Sequence, residues 1–154
     1  DKSIDDGYTV LWAADVSEKG FKWYEGVALM PKVDMHKTAE GTELSKWVKM
    51  KRSEKEDKMY DFHGPVEEIT VTQESRQKGF DDYETTDDHG MVIVGKAVDQ
   101  KGNKYYKVKN SWDSDQIYKG YFYVSEPYFL AKTMSILVNK AAIPGVVLNK
   151  LNLK

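Results

Sequence analysis

The chain has 154 residues, 40% apolar and 31% charged, with a formal net charge of −2 and no cysteine. That is one domain's length with a soluble globular balance, and it excludes disulfides, thiolate metal sites, a CxxC redox pair and a cysteine nucleophile within these residues. The near-neutral charge lacks the basic excess of a domain that holds nucleic acid by its phosphates, and no apolar run approaches the roughly 20 residues of a membrane span.

The chain opens Asp1-Lys2-Ser3-Ile4, without an initiator methionine or a basic-then-apolar leader. It therefore reads as a processed product or excised piece with sequence upstream. The compartment stays open, because a secreted chain can also lack cysteine. Residues 8–14, Tyr-Thr-Val-Leu-Trp-Ala-Ala, predict a buried strand behind the turn signal Asp5-Asp6-Gly7. A weaker apolar stretch follows around Phe21, Trp23, Val27 and Leu29.

A polar insertion covers about 31–65. Within it, Leu44, Trp47, Val48 and Met50 suit one short amphipathic helix. Lys51 to Lys58 mixes both charge signs and reads as a solvated face or loop, not a phosphate patch. Thr70-Val71-Thr72-Gln73 fits a capping box and predicts a helix over about 71–80, ended by Gly79 and the acidic 81–88 run.

The last third is strand-rich. Met91–Val94 predicts a buried strand, and the polar turn 99–103 followed by alternating 104–109 predicts a β-hairpin. Gly120–Ser125 predicts another strand, Glu126–Thr133 a short helix with Pro127 in its first turn, and Ser135–Val138 a last strand. The tail after Pro144 is apolar and basic, a helix or a docking arm. The fold class is α+β: a mostly antiparallel sheet with a few peripheral helices, in one domain over 1–154. Its core lies in about 7–30 and 66–145, and its tail in 146–154.

Three histidines are present. His36 and His63 lie in the polar insertion without metal-ligand spacing and read as surface or turn residues. His89 follows Asp87-Asp88, precedes Gly90 and sits at the mouth of the most apolar strand. Alone it reads as structural more readily than as a base. After the hairpin comes Asn110-Ser111-Trp112. An asparagine ending a strand paired with the histidine's own can accept from one ring N–H, fix the tautomer and aim the other nitrogen at a nucleophile. An adjacent indole can shield that bond. The bland alternative makes Asn110 a turn cap and Trp112 a core residue. Ser111 is a poor candidate for a recruited nucleophile, since on a strand it points away from Asn110's face.

The pattern Asp88-His89-Gly90-Met91-Val92-Ile93-Val94-Gly95, a hairpin, Lys109-Asn110-Ser111-Trp112 and then Gly120-Tyr121 resembles the second half of a papain-like cysteine peptidase. The spacing from Asn110 to Gly120 matches that family. Met91, the stretch Leu11 to Val16, Val138-Asn139-Lys140 and Ile143-Pro144 bring it nearest the bleomycin hydrolase and aminopeptidase C branch. The clear match covers about 8–16 and 85–145. The resemblance implies a β-barrel-like half of the papain-like fold, with Leu11–Asp15 on one wall of the substrate cleft. It implies that His89 forms a thiolate–imidazolium pair and protonates the leaving amine, that Asn110 orients His89, and that Trp112 shields them, with Asp88 in support. It implies no cofactor and no metal. In the branch, a C-terminal arm entering the cleft confines cleavage to chain ends.

Three residues depart from the family. Asp113 replaces a glycine, Gln116 a tryptophan and Ile117 a glycine, which puts the loop shape and cleft specificity in question. The family's cysteine and oxyanion-hole glutamine lie in its first, helical half, and this chain has no counterpart to either. The expectation is the C-terminal half of a thiol peptidase, inactive alone, whose partners are the missing half and peptide substrates. The alternative is a non-catalytic binding module on the same fold. A half without its mate also predicts an exposed apolar patch and self-association, or a complex with the missing half.

Overall fold

The computed structural model describes residues 1–32 and 48–153. The helix expected around Leu44–Met50 falls largely outside them, and His36 does so entirely. The described elements run α1 (Lys2–Asp5), β1 (Val10–Ala14), β2 (Phe21–Lys22), a 3-10 turn (Trp23–Glu25), β3 (Val27–Ala28), α2 (Arg52–Met59) and α3 (Gln73–Asp81). They continue with β4 (His89–Val98), β5 (Lys104–Lys109), β6 (Tyr121–Ser125), α4 (Glu126–Lys132), β7 (Thr133–Val138), a second 3-10 turn (Lys140–Ala142) and α5 (Gly145–Lys150).

The seven strands form one open mixed sheet in the order β2-β3-β6-β5-β4-β1-β7. Its pairings are antiparallel except for β3 with β6, so the expected mostly antiparallel α+β sheet is found. No helix among the described residues is long and apolar enough to cross a membrane.

Strand alternation sorts the two faces. On β1, Val10, Trp12 and Ala14 are buried while Leu11 is exposed. On β4, Met91 and Ile93 point the same way as Trp12, and on β5 Tyr106 and Val108 continue the layer. Phe122 and Val124 of β6 complete it. Helix α4 lies against this layer, with Tyr128 fully buried and Phe129 packed 5.7 Å from Trp12 and 4.7 Å from Tyr106, centroid to centroid. The Ser125 hydroxyl caps α4 by accepting from the Tyr128 amide, and Pro127 sits in its first turn, where no amide is needed. Arg76 of α3 donates to the carbonyls of Leu130, Ala131 and Thr133, satisfying the open end of α4.

Several expectations shift. Helix α3 starts two residues later than predicted, because the reciprocal cap is Thr72 with Ser75, not Thr70 with Gln73. The Ser75 amide donates to Thr72 Oγ1 at 3.1 Å, and Ser75 Oγ accepts from the Thr72 amide at 2.9 Å. Gly79 does not end the helix, which continues through it to Asp81. The mixed-charge run is the solvated helix α2, without a buried residue. There Glu56 pairs with Lys19 and Arg52, which hold its carboxyl below the usual value. Strand β4 is ten residues long, passing the expected Met91–Val94 at both ends, with a bulge at Val94 that sets Ile93 opposite Val108 but Gly95 opposite Lys107.

Gly26 closes the first 3-10 turn at φ 77°, and a Cβ there would fall 2.1 Å from the Tyr118 ring. Gly26→Ala is expected to cost about 1–3 kcal/mol through backbone strain and displaced packing. Urea melts read against Gly64→Ala, whose Cβ meets nothing within 4 Å, check this.

Candidate active site

The end of β4 lies between β1 and the segment that leaves β5. Ala14 opposes His89 and Val92 opposes Lys109, so the imidazole and Asn110 extend the core-facing rows of Met91–Ile93 and Tyr106–Val108 past the point where the core ends. Asn110 is 3% exposed, and its amide donates to the Gly120 carbonyl at 3.0 Å, tying it to the turn before β6.

His89 Nε2 lies 2.7 Å from Asn110 Oδ1. The Trp112 amide also points at that oxygen, at 3.3 Å, which identifies it as the acceptor end of the side-chain amide. An amide oxygen only accepts, so Nε2 carries its hydrogen, and Nδ1 holds the lone pair of the neutral ring. Asn110 Nδ2 is buried without a hydrogen-bond partner among the described residues. The Trp112 indole covers the pair, with its centroid 4.6 Å from the imidazole at 38°. Edge contacts at 5.8 Å with Phe21 and with Trp23 hold the indole in place. A cleft of about 770 Å³ opens beside it, lined by Phe21, Trp23, Tyr24, Glu25, Trp112 and Gln116, among others.

His89, Asn110 and Trp112 therefore come together. Asp88 stands apart from the imidazole, its carboxylate accepting from the Thr86 hydroxyl at 2.7 Å. His63 is exposed beside Asp61, 3.2 Å away.

Ser111 corrects an expectation. Strand β5 ends at Lys109, so alternation no longer governs Ser111, and its hydroxyl turns toward His89, 3.3 Å from Nε2 and 3.3 Å from the Gly90 carbonyl. It meets the nitrogen whose hydrogen Asn110 already takes, the wrong one for a base to activate a nucleophile.

Gln116 is the residue that sequence reasoning missed. It is buried, its Nε2 donates to the Tyr121 carbonyl at 2.8 Å, and its Oε1 accepts from the Tyr118 and Gly120 amides. It thus builds the turn that brings Gly120 to Asn110. Its only signal was its place where the resembled family has tryptophan. Ile117, by contrast, is exposed.

The sequence pattern of the Peptidase C1-like family matches residues 35–154. The chain belongs to the Peptidase C1-like family. Among its curated relatives, an aminopeptidase C of Lactococcus lactis subsp. cremoris is 38% identical over 82 residues, covering 53% of this chain and 18% of the relative. Aminopeptidase W of Lactobacillus delbrueckii subsp. lactis is 36% identical over 63 residues, 41% of this chain and 14% of the relative. The chain thus matches less than a fifth of these proteins' length. A crystal structure of pepw from Lactobacillus rhamnosis hn001 superposes with a TM-score of 0.57 at 21% identity, covering 98% of this chain and 28% of that one. The Peptidase C1-like fold here is thus the papain-like one, near the aminopeptidase C branch.

Proposed function

We propose that this chain is the histidine- and asparagine-bearing C-terminal part of a cysteine aminopeptidase, acting with a cysteine supplied by sequence outside these residues. The observation that carries the reading is the bond between His89 Nε2 and Asn110 Oδ1 beneath Trp112. It leaves Nδ1 as the nitrogen that can take a thiol proton.

In the complete site the thiolate attacks the peptide carbonyl. His89, now imidazolium, gives its Nδ1 proton to the departing amine and then takes one from the water that hydrolyses the acyl-enzyme. Asn110 accepts from Nε2–H in every state, so the ring keeps its aim while its charge changes. The cleft beside Trp112 offers room for the departing segment. Preference for chain ends is supported by the relatives named as aminopeptidases.

The outer face of the sheet presents Leu137, Leu11 and Val92 in one row across β7, β1 and β4. Leu11 and Leu137 are 48% and 67% exposed. This apolar row is the surface proposed to receive the cysteine-bearing half.

The test compares the 154 residues with the full-length protein on an aminoacyl-nitroanilide. The full-length protein should turn over, and a thiol alkylator should stop it. The isolated chain should show only background. Turnover by the isolated chain that His89→Ala removes would sink the missing-cysteine reading. The absence of cysteine from these residues also favours a second reading, a non-catalytic binding module. A parent reading frame without an upstream cysteine would decide for it.

A further inference from the structure

Lysine is almost never fully buried unless its charge is compensated. Lys132, the last residue of α4, is 5% exposed. Its ammonium donates to the Glu84 carbonyl at 2.7 Å and to Thr85 Oγ1 at 3.2 Å, and it pairs with Glu18 and, at 3.7 Å, with Asp15. Asp15 is 1% exposed and belongs to the same ring of contacts. Its carboxylate accepts from the Thr86 amide at 3.2 Å and from the Ser17 amide and hydroxyl. Its own amide donates to the Lys132 carbonyl at 3.0 Å. Burial pushes the Asp15 carboxyl up, but the Ser17 and Thr86 hydrogen bonds and the Lys132 charge outweigh it, and the group stays below its ordinary value.

One cation thus closes a ring through the end of β1, the end of α4 and the segment 84–86. That segment has no strand partner of its own and runs directly into His89. Thr86 then passes the constraint on through its hydroxyl to Asp88. The imidazole is held from one side by Asn110, and its backbone is paired with Ala14. The Thr85 amide also donates to the Gly79 carbonyl at 3.0 Å, so the cation adds its contacts at Glu84 and Thr85 to a segment tied through that bond and the Thr86 amide.

We propose that Lys132 is a positioning residue for His89, its buried ammonium clamping residues 84–86 so that the imidazole stays registered on Asn110. The inference rests on the His89–Asn110 reading above, but its readout is the geometry of that pair and not turnover. Failure of the aminopeptidase reading would leave it standing, and its own failure would leave that reading standing.

The experiment is nitrogen-edited NMR of the imidazole in the 154-residue chain. Lys132→Met keeps the aliphatic stem and removes the charge. Because that leaves Asp15 buried without its cation, the neutral pair Lys132→Met/Asp15→Asn is measured beside it. In either folded variant the His89 Nε2 proton should exchange with water at least about tenfold faster, the scale of one lost hydrogen bond. The amides of Ile93 and Val108 should keep their protection. Unchanged Nε2 exchange and nitrogen shifts in a folded variant would overturn the proposal. So would unfolding of both variants, or equal loss of protection at Ile93 and Val108, since Lys132 would then be a general stabiliser only.

Discussion

In the proposed full-length, cysteine-bearing aminopeptidase, His89→Ala is expected to lower kcat/KM for aminoacyl-amide hydrolysis by on the order of 10⁴-fold or more. On the proposed mechanism one imidazole both forms the thiolate and protonates the leaving amine, and removing one member of such a unit costs nearly as much as removing all of it. That factor corresponds to about 5.5 kcal/mol of transition-state stabilisation. Asn110→Ala should cost less, about 10–100-fold, because the imidazole remains and only its aim and tautomer are lost. The two effects should not add, since Asn110 acts through the ring that His89→Ala removes. Steady-state kinetics of the single and double variants check both statements. A double variant markedly worse than His89→Ala would mean that Asn110 works independently of the imidazole.

Trp12→Ala carries the largest expected loss of stability. The side chain is fully buried on β1, between β4 and the edge strand β7, packed on Phe129, with its indole N–H donating to Thr133 Oγ1 at 2.8 Å. Truncation removes the packing and leaves a cavity, at about 3–5 kcal/mol, and also removes the bond that the Thr133 hydroxyl accepts, while its own donation to the Phe129 carbonyl remains. A domain of this size has a total stability of about 5–15 kcal/mol, so the variant should melt far below the parent or fail to fold. Trp12→Phe should retain most of the packing and lose chiefly the hydrogen bond, about 0.5–1.5 kcal/mol. Urea unfolding followed by circular dichroism separates the two, and equal midpoints for Trp12→Ala and Trp12→Phe would refute the cavity account.

Much of the sheet was readable because strands leave short apolar, aromatic and β-branched runs or a period-2 trace. Val10 to Ala14 and Tyr121 to Ser125 are such runs, 104–109 alternates, and each became a strand. The site was readable for another reason. His89 and Asn110-Ser111-Trp112 lie far apart in sequence, and only their resemblance to a known spacing predicted that they would meet. What stayed hidden depends on contacts that periodicity does not encode. Thr70 and Thr72 are equally good caps on paper, and Ser75 decides between them. The turn of Ser111 toward His89 requires knowing that β5 stops at Lys109. Gln116 and Lys132 read as ordinary polar residues, and their burial is visible only once the turn and the end of α4 are in place.

The bulge at Val94 separates the two ends of β4. On one side, pairing with β1 sets His89 against Ala14, and on the other, pairing with β5 runs out to the Asp99–Asn103 turn. The turn lies at the far end of β4 from His89, whose own pairing is with Ala14 of β1. The hairpin tip is therefore a place to lengthen the chain, attach a probe or build a tether while His89 keeps its pairing with Ala14.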